Sequence, residues 1–292
     1  MYKICGAGIL PFTVRTDGTI VFLMGKERVV PGWRSSGKMS AFEGGHQNHE
    51  SATRNAVREF CEESLCVLTN DDHTVHKLQS ELEGGDYALR ICMRDDILCE
   101  EHHTFVKRFE WCDDLCATFD RRRDALTHIQ TLTERLSVLE NRVPHRYPFL
   151  RVGDLLCRHG VCCHVLTILA ATQKSGMLHI KYTSEQEGQK TLVAHADAAM
   201  QSNFVEMVRV RAEMDETIRQ LPAIIRRRAI TLRSNGVAPM PIVRREWLEK
   251  QSIHEMCIDD VASALSNDTQ MFRFYFYAVI RETLNAFRVP SH

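Results

Sequence analysis

Glu59, Glu62 and Glu63 stand at positions i, i+3 and i+4 of the segment Ser51–Leu65. On a helix that spacing puts all three carboxylates on one face. Crowded like charges repel unless a cation sits among them, and hard divalent ions such as Mg²⁺ or Mn²⁺ prefer oxygen ligands of this kind. A divalent ion also neutralises a diphosphate and makes a bound water more acidic. The stretch therefore reads as a metal platform suited to breaking a phosphoanhydride. Arg58 would orient the carboxylates through a charge-assisted bond to Glu50 or Glu59. Gly44 and Gly45 would let the backbone turn sharply and approach metal and phosphates closely.

A helix over Ser51–Leu65 must hold this cluster. Ala52, Ala56 and Phe60 repeat at spacing four, as one buried stripe would. Ser51 is the expected N-cap, with Glu50 and His49 as neighbours to which the boundary could shift.

The whole run Gly44–Cys66, GGHQNHESATRNAVREFCEESLC, resembles the Nudix box. That motif is a glycine, five residues, a glutamate, seven residues, then Arg-Glu, an apolar residue, a spacer, Glu-Glu, a spacer, glycine and a second apolar residue. Phe60 and Cys66 fill the apolar slots, and Leu65 replaces the last glycine. A solvated charged face is the usual fate of a glutamate pair, but the agreement at every other fixed position favours the resemblance. It implies an α+β fold, a Nudix α/β/α sandwich with a mixed sheet. It implies a hydrolase in which Glu62 and Glu63 bind Mg²⁺ or Mn²⁺ and Glu59 binds metal or serves as base. Leu65 removes the residue that usually ends the box helix, which bears on the helix exit more than on the chemistry.

Upstream, Gly6–Val14 and Thr19–Gly25 are β-rich runs around Arg-Thr-Asp-Gly, a hairpin signal. Residues 26–38 form a basic loop, and 40–43 a short strand entering the box. Lys26, Arg28, Arg34 and Lys38 are candidates to hold phosphates, and Trp33 and Phe42 to stack on a base, against the equal alternative of packed aromatics and solvated charges. After the box, 69–85 is polar with few order signals, whereas Tyr87–Met93 and Thr104–Trp111 alternate like strands around an acidic turn.

The resemblance then pauses. Phe119–Asn141 and Ala196–Leu221 read as helices, Ile224–Leu232 as a further helical piece, and Val161–Ala170 and Met177–Tyr182 as strands or buried segments. The family pattern resumes at Trp247-Leu248-Glu249-Lys250, with a strand over 253–258 and a closing aromatic helix over 268–287. The expected layout is 1–115 as the first part of the core, 116–245 as a basic, mainly helical insertion, and 246–292 as the closing strand and helix. A separate C-terminal helical domain is the other layout. Glu249 is a candidate extra metal ligand or base, with a surface salt bridge as the commoner fate. Residues 119–245 hold 20 Lys and Arg against 12 Asp and Glu, a balance of +8 within a chain of net charge −1. A basic insertion beside an acidic core is what an enzyme acting on RNA 5′ ends would need, and a homodimer surface is another use for it, although a solvated face is the commoner fate of helical arginine runs.

At 292 residues, 44% apolar and 26% charged, the chain can bury a substantial core. Its N-terminus lacks a secretory or transit pattern and its longest apolar run is too short to span a bilayer, so a cytoplasmic or nuclear protein without membrane contact is expected. Eleven cysteines, an odd number lying mostly in apolar patterns, read as reduced thiols. Cys157, His159, Cys162, Cys163 and His164 lack a CxxC pair and read as buried small side chains rather than a zinc site. The expected activity is Mg²⁺- or Mn²⁺-dependent hydrolysis of a nucleoside diphosphate-linked substrate. The RNA 5′ cap or polyphosphate end leads the candidates, ahead of small nucleotides. A Nudix-derived RNA-binding scaffold is the non-enzymatic alternative.

Overall fold

A computed structural model describes residues 2–47, 49–111, 114–141, 166–175, 177–184, 188–194, 198–234, 239–268 and 270–288. The chain divides into two compact units, one of residues 1–123, 222–225 and 245–292, the other of 124–221 and 226–244.

The first unit is built on a seven-stranded mixed sheet. Strand β1 (Lys3–Val14) lies at its centre. It pairs antiparallel with β2 (Ile20–Glu27) and β4 (Phe42–Gly45), and parallel with β6 (Glu100–Arg108). Strand β3 (Met39–Ser40) adds to β2, and β5 (Leu89–Asp95) pairs with β6. The expected hairpin closes β1 onto β2: Gly18 takes a φ of +84°, which glycine adopts without a Cβ clash, and the Asp17 carboxylate accepts the Thr19 amide.

Helix α1 (Ala52–Glu63) packs over β1 and β4 on one side of the sheet. Its N-cap is Ser51, whose Oγ accepts the Arg54 amide at 3.2 Å. Phe60 meets Phe42 edge-on at 5.5 Å between ring centres and Phe109 at 5.2 Å, so the anticipated apolar stripe is buried. Helix α2 (Asp72–Glu83), which packs on α1, fills the polar stretch that carried few order signals. Asp71 and Thr74 form a reciprocal capping box, and Val75, Leu78 and Leu82 repeat on its buried side. The 3–4 spacing was present in the sequence but masked by the polar residues between.

At its other end β2 pairs with β12 (Lys250–Cys257), reached after a short 3-10 helix (Arg245–Leu248). Helices α6 (Ile258–Asn267) and α7 (Phe274–Arg288) follow and cover the opposite sheet face. There Val261, Phe276, Val279 and Ile280 pack against Leu10, Phe12, Phe22 and Met24. The closing aromatic helix begins later than the expected 268, because Gln270–Arg273 forms a turn tied to β3: the Met39 amide donates to the Met271 carbonyl at 2.8 Å.

The second unit contains most of helix α3 (Leu115–Asn141), helix α4 (Ala198–Gln220) and part of α5 (Ala223–Ala229). It also holds two antiparallel sheets, β7–β8–β9 (Leu166–Lys174, Met177–Ser184, Gly188–Ala194) and β10–β11 (Ile230–Ser234, Pro239–Val243). Among the described residues helix still outweighs strand in this stretch, with five strands beside the helices. Ile230–Leu232, expected to be helical, is extended because it pairs with β11. The cysteine- and histidine-rich run 157–164 lies outside the described residues.

Candidate functional site

The carboxylate cluster sits in the first unit where α1 meets β4. Arg58 is its hub. Nε donates to Glu50 Oε1 at 2.9 Å and Nη2 to Glu50 Oε2 at 3.1 Å, a two-pronged grip. Nη1 donates to Glu59 Oε1 at 2.6 Å and to Glu62 Oε2 at 3.0 Å. Nη2 also reaches the Gly45 carbonyl at 2.9 Å. One guanidinium therefore draws the glycine turn, the Glu50 loop and two helix carboxylates together; the sequence left Glu50 and Glu59 as alternatives, and Arg58 bonds both. Asn55, fully buried and not singled out in the sequence, donates to the same Gly45 carbonyl at 3.2 Å.

Gly44 is required by close approach. A Cβ there would fall 2.3 Å from Glu59 Cδ, so the Glu59 carboxyl lies on the bare face of the backbone. Burial pushes this carboxyl up to about 7; Arg58 opposes the rise, while Glu62 and Glu249 add to it. A carboxyl poised near neutrality exchanges a proton with water readily.

Glu63 is turned elsewhere. Its Oε2 accepts the Glu43 amide at 2.7 Å, and its Oε1 lies 3.1 Å from Lys250 Nζ. Lys250 is wholly buried and also contacts Glu27 Oε1 at 2.6 Å and Ser40 Oγ at 2.7 Å. Arg273 Nη1 reaches the same Glu27 oxygen at 3.1 Å. Burial raises the Glu63 carboxyl, against the pull of Lys250, and pushes Glu43, buried beside Arg273, up to about 7. None of Glu27, Glu43, Lys250 or Arg273 was singled out as a site residue. The Glu249-Lys250 pair was noticed, but attention fell on its exposed member.

Glu249 is exposed, its carbonyl accepts the Arg28 amide at 3.1 Å, and its side chain is close enough to raise Glu59. Of the loop candidates, Trp33 and Arg34 are exposed and Lys26 is half-buried on β2. Arg28 Nη1 donates to the Leu248 carbonyl at 3.4 Å and Lys38 Nζ to Gln270 at 3.3 Å. Phe42 is corrected: it is fully buried on β4 against Phe60, so it is a core ring and has no face to offer a base.

Leu65 ends α1 in the left-handed region, with φ +52°, followed by Cys66 at +54°. The exit that glycine usually provides is thus kept by a leucine. Its side chain is 1% exposed, and Arg122 Nη1 holds its carbonyl at 2.9 Å. Arg122 also donates to Asn70 Oδ1 at 2.8 Å, so one of the three arginines at 121–123 is a structural clamp.

A second cluster lies across β5 and β6, where Cys92, Glu101 and His103 bring ligand atoms within 4.8 Å of one another. Arg90 donates to His103 Nδ1 at 3.2 Å, which leaves Nε2 carrying the proton and donating to Glu101 Oε1 at 3.0 Å. That bonding gives His103 no lone pair for an ion. Among the described residues, no helix is long and apolar enough to cross a membrane.

No family model and no curated protein sequence matches the chain. Two similar solved structures are a Nudix hydrolase from M. Smegmatis, RenU, at 12% identity over 38% of this chain with a TM-score of 0.25, and a NUDIX hydrolase from Nitrosomonas europaea at 15% over 39% with a TM-score of 0.20. The matches span 64% and 52% of those chains, less than two thirds of either.

Proposed function

We propose that the first unit is a Nudix-type hydrolase that cleaves a phosphoanhydride in a nucleoside diphosphate-linked substrate with the aid of Mg²⁺ or Mn²⁺. The observation that carries this reading is the Arg58 grip on Glu50, Glu59 and Glu62 beside the bare backbone of Gly44. A structural salt-bridge cluster would neutralise its carboxylates. Here one guanidinium grips three of them at once.

The donor set fits a hard divalent ion: Glu59, Glu62 and the Gly44 carbonyl are oxygen ligands on rigid elements, with Glu249 near enough to assist. When bound, such an ion supplies charge neutralisation of the diphosphate and acidifies a coordinated water. The chain's own residues do the rest. Glu59, set on the bare face of Gly44 and gripped by Arg58, is placed to accept the proton of the attacking water. The new P–O bond forms as the bridging P–O bond breaks, and the leaving phosphate keeps the electron pair. Arg58 fixes the carboxylates so that no reorganisation is needed at that moment. Trp33 and Arg34, exposed on the loop that follows β2, are available to a nucleotide.

The RNA 5′ end is the preferred substrate, on the basic balance of residues 119–245. Comparison of capped or triphosphorylated RNA with the free cap and with diadenosine polyphosphates tests this. Cleavage of RNA with the free cap ignored supports it. Turnover of the small nucleotides with RNA ignored assigns the basic segment to structure or to self-association. Intact RNA binding without turnover of any substrate favours the scaffold alternative.

A further inference from the structure

The ammonium of Lys250 sits inside a shell that would suit a metal ion. Its neighbours are all oxygens: Glu27 Oε1 at 2.6 Å, Ser40 Oγ at 2.7 Å and Glu63 Oε1 at 3.1 Å. An ammonium has three hydrogens to donate, so these contacts fill its capacity. The side chain is completely buried, and its stem crosses Gly25, where a Cβ would fall 2.8 Å from Lys250 Cδ. The strand pairing of β2 with β12 therefore delivers the cation, and a glycine on β2 makes room for it.

Both oxygens of Glu63 are engaged as a result. Lys250 takes one carboxylate oxygen and the Glu43 amide takes the other. A divalent ion on the remaining lone pairs of Glu63 would lie against a buried ammonium whose positive charge repels it and which has no solvent to move into. Glu59 and Glu62 share a different partner, Arg58, which comes from the partly exposed side of α1.

We infer that Lys250 is a built-in cation standing where a second divalent ion would otherwise bind, so that metal at α1 is confined to Glu59 and Glu62 and Glu63 acts as a positioning residue. The inference rests on the reading that α1 holds a divalent ion at all. Glu63 then anchors the C-terminal end of the helix to β2 and β12, and sets the height at which Glu59 and Glu62 face a substrate.

Counting bound Mn²⁺ by electron paramagnetic resonance, with affinities from the same titration, tests this without turnover. The full chain is expected to bind one ion at α1. Glu63→Gln is expected to keep it with an affinity changed by no more than about threefold, because the ion is held by Glu59 and Glu62 and the new side-chain oxygen can still accept from Lys250 or from the Glu43 amide. Glu62→Gln is expected to weaken it by about tenfold or more. Lys250→Ala, which vacates an oxygen-lined space, is expected to bind one ion more than the parent; should it not fold, Glu63→Gln carries the test. Two ions in the parent chain, one of them lost in Glu63→Gln, would overturn the inference while leaving the metal site standing. A folded Lys250→Ala with an unchanged count would also overturn it. No Mn²⁺ in the parent chain would overturn the metal site itself.

Discussion

Arg58 Nη1 lies between two carboxylates of its own helix, 2.6 Å from Glu59 and 3.0 Å from Glu62. The same side chain reaches back to Glu50 and the Gly45 carbonyl, so α1 and the turn before it are locked as one piece. Arg58→Gln removes the fork while keeping a polar side chain. Turnover is expected to fall by about 10- to 100-fold, as for other residues that orient metal ligands, with the circular dichroism spectrum of the folded chain retained. Steady-state rates on the best substrate check this.

Gly44 and Gly45 look equivalent in sequence and are not equivalent in space. A Cβ on Gly44 falls on the Glu59 carboxyl, whereas one on Gly45 meets nothing within 4 Å. Gly44→Ala is therefore expected to displace Glu59 and to cost at least about tenfold more in kcat than Gly45→Ala. Equal losses in the two variants would show that the close approach does not matter.

Leu65 poses an energetic choice. Holding a leucine at φ +52° costs about 1–2 kcal/mol. Its side chain is 1% exposed, and removing a buried leucine costs about 2–5 kcal/mol. The second effect is larger, so Leu65→Gly, although it restores the glycine of the motif, is expected to destabilise the chain by about 1–3 kcal/mol. Urea unfolding measures this, and a more stable variant would contradict it.

What the sequence revealed and what it hid follow one physical divide. The spacing of Glu59, Glu62 and Glu63 is a local helical period, and the cap, stripe and hairpin signals are local as well. These were legible. The partners of Glu63 were not, because Lys250 arrives from a strand 187 residues further along and Glu27 from another. Such pairings depend on strand register, which a single sequence does not display. Phe42 was left between two readings for a related reason. Its ring looked available to a base beside a basic loop, but its place on β4 fixes it against Phe60. The β10–β11 hairpin was missed because Ile224–Leu232 carries helix formers, and pairing with residues beyond 238 overrides them at Ile230.

Acid should weaken the fold through His102. Burial pushes this imidazole down to about 3, with His103 and Arg273 adding to the effect, and its Nδ1 shares a hydrogen bond with Tyr275 Oη. The unfolded chain takes up a proton at about pH 6.5, and the folded chain only at about 3. A depressed folded value means that the stability is fully present above the unfolded pKa and is lost as pH falls toward 3. The urea midpoint is expected to drop between about pH 7 and pH 5, and to drop less in His102→Gln. Identical slopes in the two proteins would assign acid sensitivity to other groups.

The most direct test of the hydrolase reading is a panel of capped RNA, triphosphorylated RNA, diadenosine polyphosphates, oxidised nucleoside triphosphates and nucleotide sugars, each incubated with Mg²⁺, with Mn²⁺ and with chelator. Parent chain and Glu62→Gln are compared in parallel. The account predicts cleavage at a phosphoanhydride of at least one substrate, abolished by chelator and reduced by at least about a hundredfold in Glu62→Gln. Cleavage that persists in chelator or is undiminished in Glu62→Gln would contradict it, as would a parent chain that binds these substrates and leaves every one intact.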